Sequence, residues 1–359
     1  MHTILWKDID EHTQAVLGPR AKPGVAYLAE DDVTGSYMHA YSNTIQVNKW
    51  GGYTQLLPDT DYNGKKVMVM RAGGIGDILF LTPAMAAFKR RNPQAELFFA
   101  SMAHCPLLLY NNPALTGFLP YPCPLEQVPE HVVCVESMIE FSPQGKLMHA
   151  VDLFATGFGL ELGPDEKKML MYLSEEETDS AKKFLPPPGK GKYRFGIQVV
   201  ANLPVRTYPH MARVAKSLMK QGHQVIAFGA PGQPPIQGAI NTHGQTPPLN
   251  IRQSASLVSV CDCIIATDSA ITHIAGALDV PCVAVYGSFP SLLRTAYQPK
   301  TIAIQGEGKC APCMHHGRMS NFPLNCPSQQ EGMCQVLERI SVEAVRDQAL
   351  RWAFEWKES

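Results

Sequence analysis

The sequence has almost no excess of charge of either sign. Its 31 lysine and arginine residues nearly balance 32 aspartate and glutamate residues, and the formal net charge is −1. Such a balance supplies no global field to recruit nucleic acid or an anionic membrane, although the run Lys89–Arg91 leaves a local basic patch open. An uninterrupted apolar run of roughly eighteen residues, typical of a transmembrane helix, is also missing. Met1–Asp10 carries acids and no long apolar run, so a signal peptide is not expected. These absences predict a cytoplasmic protein.

Two common phosphate-binding motifs are missing from the most distinctive glycine turn. The segment Lys66–Ala84 has the pattern of a buried strand, a turn and a helix, since Val67–Met70 is a continuous apolar run. The turn contains Gly73, Gly74 and Gly76. No lysine follows these glycines, as a P-loop requires, and their spacing does not match the dinucleotide fingerprint. The turn therefore needs another explanation.

Asp77 follows this turn, where the helix should begin and at the carboxyl end of the strand. Open α/β sheets bind their ligands at that edge, so Asp77 is a candidate functional carboxylate. The simpler interpretation is a first-turn acid that interacts favourably with the helix dipole.

A second strand, turn and helix occurs in Cys263–Gly287. Asp268 and Ser269 are placed at the turn, and His273 follows one helical turn later on the same face. Free N–H groups at a helix N-terminus, a hydroxyl and an imidazole together suit a diphosphate. The alternative is an ordinary N-cap beside a packed histidine.

The two segments together resemble the ADP-heptose glycosyltransferase family, which includes the lipopolysaccharide heptosyltransferases. The N-terminal motif R-x-G-G-x-G-D-x-L-x-x-T-P is matched by Arg71–Pro83, and the C-terminal motif D-[ST]-G-x-x-H-x-x-x-A-L-x-x-P by Asp268–Pro281. Ala270 stands where the family usually has glycine. Arg206–Pro209 resembles a third motif, with Tyr208 in place of tryptophan. The resemblance covers roughly residues 66–345, most of the chain.

The resemblance implies the GT-B fold, in which two doubly wound Rossmann-like α/β domains face each other across a cleft. A length of 359 residues with 45% hydrophobic content is sufficient for two such cores. The expected parts are an N-terminal extension (1–64), an acceptor-binding domain (65–185), a proline-rich linker (186–192), a nucleotide-sugar-binding domain (193–340) and a C-terminal helix (341–359). The extension could recognise the acceptor, form an oligomer or cover one edge of the first sheet. The terminal helix could return to the first domain, as in many GT-B enzymes, or pack on the second.

The implied activity is inverting transfer of a sugar, heptose by resemblance, from a nucleotide-diphospho-sugar to an acceptor hydroxyl. In this hypothesis Asp77 is the general base, and the acceptor-side turn contains Gly73, Gly74 and Gly76. The donor phosphates would bind Arg206, Asp268, Ser269, Ala270 and His273. Because Arg206, His273 and the helix N-terminus would stabilise the leaving diphosphate, no metal ion is expected to be needed for catalysis.

The ten cysteines divide into two groups. Six look like small buried hydrophobic residues: Cys105, Cys123, Cys134, Cys261, Cys263 and Cys282. Cys310, Cys313, Cys326 and Cys334 instead form a C-x2-C-x12-C-x7-C set within the polar segment 309–335. A cytosolic location argues against disulfides, and four thiolates suit one tetrahedral structural metal, zinc in preference to iron. His315 and His316 are further candidate ligands, and packed thiols without metal are the alternative.

Other functions and several properties stay open at this stage. The same fold serves nucleotide-sugar epimerases, phage-type DNA glycosyltransferases and non-catalytic sugar-nucleotide-binding subunits. An ADP-sugar is the favoured donor. The acceptor could be a glycolipid, a polypeptide or a modified nucleobase. The sequence is also compatible with an oligomer.

Overall fold

The computed structural model describes residues 2–6, 26–29, 44–46, 53–71, 74–101, 105–121, 123, 127–135, 138–141, 143–313 and 333–357. The chain divides into two compact units, Met1–Met169 and Leu170–Ser359. The proline-rich segment 186–192, expected as a linker, therefore lies inside the second unit. There Pro186 O accepts hydrogen bonds from Arg194 Nη2 and Gln224 Nε2, each at 2.9 Å.

The first unit alternates strands and helices after an N-terminal group of strands. In chain order the elements are β1 (His2–Trp6), β2 (Ala26–Ala29), β3 (Thr44–Gln46), β4 (Tyr53–Thr54), β5 (Lys66–Met70), α1 (Ile75–Arg91), β6 (Glu96–Ala100), β7 (Gly117–Leu119), β8 (His131–Val135), α2 (Met138–Phe141) and α3 (Ala150–Gly157). Short 3-10 helices cover Pro106–Leu109, Pro143–Lys146 and Pro164–Glu166.

Two sheets form in this unit. β2, β1 and β3 make a three-stranded antiparallel sheet in that order. The larger sheet has the order β4-β8-β5-β6-β7, in which β4 is antiparallel at one edge and the others are parallel. β4 belongs to the predicted N-terminal extension, and it occupies an edge of the first sheet. The predicted strand Val67–Met70 is confirmed as the buried part of β5.

The second unit contains one six-stranded sheet, and helices alternate with its strands along the chain. Its elements are α4 (Glu175–Phe184), β9 (Arg194–Gln198), α5 (Met211–Lys220), β10 (Gln224–Phe228), β11 (Ile240–Asn241), α6 (Ile251–Ser259), β12 (Cys263–Thr267), α7 (Ala270–Ala277), β13 (Cys282–Tyr286), α8 (Leu292–Thr295), β14 (Thr301–Gln305), α9 (Gln335–Glu338) and α10 (Val342–Lys357). 3-10 helices cover Pro204–Arg206 and Thr242–Gly244.

All six strands of the second sheet are parallel, in the order β11-β10-β9-β12-β13-β14. This is the 3-2-1-4-5-6 order of the Rossmann fold, so the strand order reverses between β9 and β12. Every residue of β9, β12 and β13 is buried, as expected for strands covered on both faces. A ligand site is therefore expected at the carboxyl ends of β9 and β12.

The C-terminal helix α10 packs on the second unit. Its buried residues Val345, Ala349 and Ala353 join the core formed by β9, β12, β13 and α5. Ser341 caps the start of this helix, because its Oγ accepts a hydrogen bond from Ala344 N at 3.1 Å. Within the described ranges, neither α10 nor any other helix is long and apolar enough to cross a membrane.

Candidate functional site

Asp268 and Ser269 lie at the reversal of strand order in the second unit. They follow β12, while Gln198 ends β9 on the adjacent strand. Ser269 Oγ donates a hydrogen bond to Gln198 Oε1, which also accepts one from Thr267 N at 3.4 Å. Ser269 makes no side-chain cap on α7. The hydroxyl thus joins the two strands at the expected ligand edge instead of acting as an ordinary N-cap.

Asp268 is a buried carboxylate surrounded by basic groups. Its Oδ2 is 3.6 Å from Arg206 Nη1, and its Oδ1 is 3.8 Å from His273 Nε2. Burial opposes ionisation of Asp268, but Arg206, His273 and Arg294 overcome it and hold the pKa of this carboxyl well below its usual range. We call Asp268 with Arg206, His273 and Arg294 the Asp268 cluster. The sequence motifs supplied three of its members.

Arg294 was not identified from the sequence. It lies on α8, is 3% exposed, and places its guanidinium carbon 3.9 Å from the centroid of the Phe289 ring. A stacked, buried guanidinium keeps a fixed position at the site. No motif marks this arginine, since it comes from the loop and short helix after β13 and reaches the cluster only through folding.

The phenol of Tyr286 is another feature that the sequence analysis missed. Tyr286 is the last residue of β13 and is fully buried. No residue of the described ranges forms a hydrogen bond with its hydroxyl. Burial, followed by the nearby Asp268 charge, raises the pKa of Tyr286 well above its usual value. The neutral phenol therefore adds a polar group without charge to the Asp268 cluster.

Two motif positions have structural explanations. Ala270 is the first residue of α7, and it is not among the described residues with positive φ, so the family's glycine is not needed for backbone geometry. Tyr208 is buried in the core, and its hydroxyl donates to Ile340 O at 2.8 Å. Burial raises the pKa of Tyr208 to about 12. Tyr208 therefore anchors the segment after Arg206 to the core of the second unit.

The first unit has its own candidate group at the carboxyl end of β5. Arg71 is buried, and its Nη2 is 2.5 Å from Asp77 Oδ2. Arg71 Nη1 also donates to Val135 O, at the end of β8, at 3.3 Å. β5 and β8 are neighbours at the point where the order of this sheet reverses. Asp77 therefore has a charged partner, which the helix-dipole interpretation does not include.

The glycine turn fits closely around this carboxylate. Gly74 has φ 82°, and a Cβ added there would overlap the Asp77 carboxylate, so only glycine is compatible with this geometry. Gly76 lies in the first turn of α1. Gly73 lies outside the described residues.

The basic run on α1 is offset by an acid. Arg90 and Arg91 approach Glu166 at 2.5 and 3.0 Å, and Lys89 Nζ donates to Ala95 O at 2.6 Å. This pairing weakens the only basic patch that the sequence analysis raised for a DNA backbone.

The six cysteines predicted to be buried are all buried. Of the other four, Cys310 is exposed, Cys313 and Cys334 are half-buried, and Cys326 lies outside the described residues, as do His315 and His316. Burial raises the pKa of Cys334, with smaller contributions from Cys313 and Cys310, so these three thiols are near one another. Among the described residues, no group of three or more histidine, cysteine or acidic side chains is arranged to hold a metal.

Comparison with known proteins identifies the class. The family described as Glycosyltransferase family 9 (heptosyltransferase) matches residues 142–321, half of the chain. A solved family 9 glycosyltransferase from Veillonella parvula is similar with a TM-score of 0.62 and 16% identity, over 82% of this chain and 99% of that one. Escherichia coli ADP-heptose lipopolysaccharide heptosyltransferase II gives a TM-score of 0.59 and 17% identity, over 81% and 99%. The two Rossmann-like sheets thus have the GT-B fold. The chain belongs to glycosyltransferase family 9.

Two further relatives are informative. Lipopolysaccharide heptosyltransferase 2 of Salmonella typhimurium is 34% identical over 96 residues, which are 23% of this chain and 28% of that protein. The match thus spans little more than a quarter of the relative's length. The iron-containing dodecameric glycosyltransferase TibC of enterotoxigenic E. coli is similar in structure, with a TM-score of 0.60 and 14% identity, over 84% of this chain and 78% of that one.

The Asp268 cluster makes a prediction about acid stability. Because the pKa of Asp268 is depressed in the folded state, its stabilisation is present above the unfolded pKa and is lost as the pH falls toward the folded value. Asp268→Asn should cost about 3 kcal/mol at neutral pH, since it leaves buried cations uncompensated. The difference from wild type should shrink below about pH 4.

Urea unfolding at a series of pH values measures this difference. Asp179→Asn is the control, because Asp179 is 58% exposed and forms an exposed ion pair with Lys182 on the same helix. This substitution should cost less than about 1 kcal/mol. A loss in Asp268→Asn that is the same at every pH would contradict the assignment.

Proposed function

We propose that this chain is an inverting glycosyltransferase that uses a nucleotide-diphospho-sugar donor. The observation that carries the proposal is the Asp268 cluster, which places two arginines and a histidine at the carboxyl edge of β12, beside the N-terminus of α7. Such an edge favours a diphosphate, because helix N–H groups and cations both interact with its negative charge. Family membership supports sugar transfer as the use of this site.

The leaving group would be stabilised by the second unit. As the bond between the anomeric carbon and the phosphate oxygen breaks, about one negative charge develops on the diphosphate. Arg206 and His273 are positioned to balance it, while Asp268 holds both side chains in place. The backbone N–H groups of Ser269 and Ala270 would bind phosphate oxygens at the start of α7.

The first unit would supply the base. Asp77 would take the proton of the acceptor hydroxyl while that oxygen forms the new bond to the anomeric carbon, which inverts the configuration. Arg71 binds Oδ2 of this carboxylate and so leaves Oδ1 to receive the proton. Gly73, Gly74 and Gly76 would give the acceptor access to this carboxylate.

These residues would make a divalent cation unnecessary for catalysis. Two Asp-x-Asp sequences occur that could suggest otherwise. Asp8–Asp10 lies outside the described residues. Asp59–Asp61 forms an exposed turn, in which Asp61 Oδ1 accepts a hydrogen bond from Asn63 N at 2.9 Å. Asp61 thus stabilises its own turn.

An ADP-sugar, with heptose as its sugar, is the favoured donor because the similar solved structures include ADP-heptose enzymes. The acceptor would be a glycolipid, a polypeptide or a modified nucleobase. A cytoplasmic location stays a prediction from the sequence. An oligomer is part of the proposal because TibC is dodecameric.

Removing the base tests the chemical step. Asp77→Asn keeps the shape of the turn but cannot accept the proton, so turnover should fall at least about a hundredfold. Affinity for the nucleoside diphosphate, measured by calorimetry, should barely change. Asp61→Asn, at an exposed carboxylate of the same unit, is the matched control and should keep full turnover. Undiminished activity in Asp77→Asn would remove the base from the mechanism.

Removing a cation tests the donor site. Arg206→Ala should weaken binding of ADP by about tenfold or more, because a charge-assisted contact is lost. His273→Ala should have a smaller effect. The control is Arg213→Ala on the exposed face of α5, which should bind ADP as wild type does. Calorimetric titration with ADP, GDP, UDP and CDP also identifies the preferred base. Equal ADP affinity in wild type, Arg206→Ala and His273→Ala would show that the diphosphate binds elsewhere.

We also propose one structural metal on Cys310, Cys313, Cys326 and Cys334. The four-thiolate ligand set favours zinc, while the iron-containing neighbour TibC supports iron. Purified protein should carry about one metal per chain after dialysis, and Cys313→Ser should lose it and melt at a lower temperature. Elemental analysis distinguishes zinc from iron. Cys123→Ser, at a buried cysteine of the first unit, is the control and should keep the metal. Metal-free wild type would leave these residues as packed thiols.

A further inference from the structure

His273 has a different neighbour on each side of its ring. The residue is 4% exposed, and its Nε2 is 3.8 Å from Asp268 Oδ1. Its Nδ1 lies 3.5 Å from the side-chain Nε2 of Gln298, a residue that is 3% exposed. A neutral imidazole carries its proton on only one of the two nitrogens, and the partner of one nitrogen determines where that proton lies.

The orientation of the Gln298 amide is fixed independently of His273. Gln298 Nε2 donates to Arg294 O at 2.8 Å, and Gln298 Oε1 accepts from Thr301 Oγ1 at 3.1 Å. Turning the amide over would place Oε1 against the Arg294 carbonyl oxygen, which also only accepts. The hydrogen-bond network therefore directs an N–H group, and not an oxygen, toward Nδ1 of the histidine.

A glycine provides the space for this amide. Gly276 is one turn after His273 on α7, and a Cβ added there would lie 2.6 Å from both Cδ and Oε1 of Gln298. Any larger residue would displace the amide from the histidine ring. The contact between Gln298 and His273 thus depends on a residue of the same helix that carries the histidine.

We propose that Gln298 is a positioning residue that sets the tautomer of His273. Because Gln298 presents a donor to Nδ1, that nitrogen stays unprotonated and accepts, and the proton of the neutral ring is on Nε2. The Nε2–H group is directed to the side of Asp268, where the donor diphosphate would bind. This role rests on the proposed function: the fixed N–H would donate to a phosphate oxygen as the bond to the sugar breaks. Gln298 itself would touch neither donor nor acceptor.

The tautomer is measured by 15N NMR on protein labelled in its histidines, above about pH 8, where an ordinary histidine is neutral. His273→Gln assigns the signals of His273. Wild type should show the protonated-nitrogen shift at Nε2 and the unprotonated shift at Nδ1. Gln298→Glu should bring a proton to Nδ1, because a carboxylate oxygen accepts where the amide donated. Gln298→Met keeps the length of the side chain without a donor. It should add a minor form protonated at Nδ1, because the Asp268 carboxylate still faces Nε2.

Gln305→Met is the matched control. At the edge of the same sheet, the Gln305 amide oxygen accepts a hydrogen bond from Ser291 N, and the amide nitrogen donates to Tyr286 O and Gly287 O. The nitrogen shifts of His273 should stay as in wild type. ADP should bind about tenfold more weakly to Gln298→Glu, because a ring protonated at Nδ1 has no N–H at Nε2 to donate to the phosphate.

The result that overturns the proposal is a wild-type ring protonated at Nδ1, or nitrogen shifts that neither Gln298 variant alters. The NMR result does not depend on sugar transfer. A chain inactive with every sugar nucleotide would refute the proposed function, while an Nε2-protonated ring that responds to Gln298→Glu would still support this inference.

Discussion

The second unit depends on compensation of one buried negative charge. A carboxylate as enclosed as Asp268 could not stay ionised in an apolar interior, because the cost of removing it from water is large. Two arginines and a histidine offset that cost. They come from three separate places in the chain: the 3-10 helix after β9, the helix α7 and the short helix α8. The carboxylate therefore holds three helical segments around the end of β12, and the same arrangement places cationic groups where the proposed diphosphate would bind.

In the first unit, a single arginine compensates the charge of the corresponding carboxylate, Asp77. Arg71 links the ends of β5 and β8 through Val135 O and holds Asp77 with the same guanidinium. In both units the charged pair lies where the strand order reverses, because adjacent loops diverge there and leave polar groups uncovered. This shared position at the reversal of strand order explains why both sequence motifs consist of a strand, a turn and an acidic residue. It also explains why each acid has a basic partner.

The sheets could be predicted well, and parts of the site could not. The continuous apolar run Val67–Met70 predicted β5, and the strand, turn and helix predicted in Cys263–Gly287 include β12 and α7, because strands covered on both faces leave a clear apolar pattern. Gln198, Arg294 and Gln298 were missed because they are far from the motifs in sequence and approach only after the sheet forms. The proline run at 186–192 suggested a domain boundary, whereas the units divide before Leu170. Proline interrupts secondary structure, but tertiary packing determines where a domain ends. Helix α4 belongs to the second unit because its Glu177 pairs with Arg252 on α6.

The three central strands of the second sheet have no face exposed to solvent. Neither side of β9, β12 or β13 can therefore change polarity without loss of the core, and volume is constrained as well. Sequence change is tolerated better in the loops at the carboxyl edge, which carry the proposed binding groups and little of the packing. A framework of this kind keeps its shape while its sequence drifts, consistent with a TM-score of 0.62 at 16% identity. New substrates can then be acquired by replacing loops on an unchanged sheet.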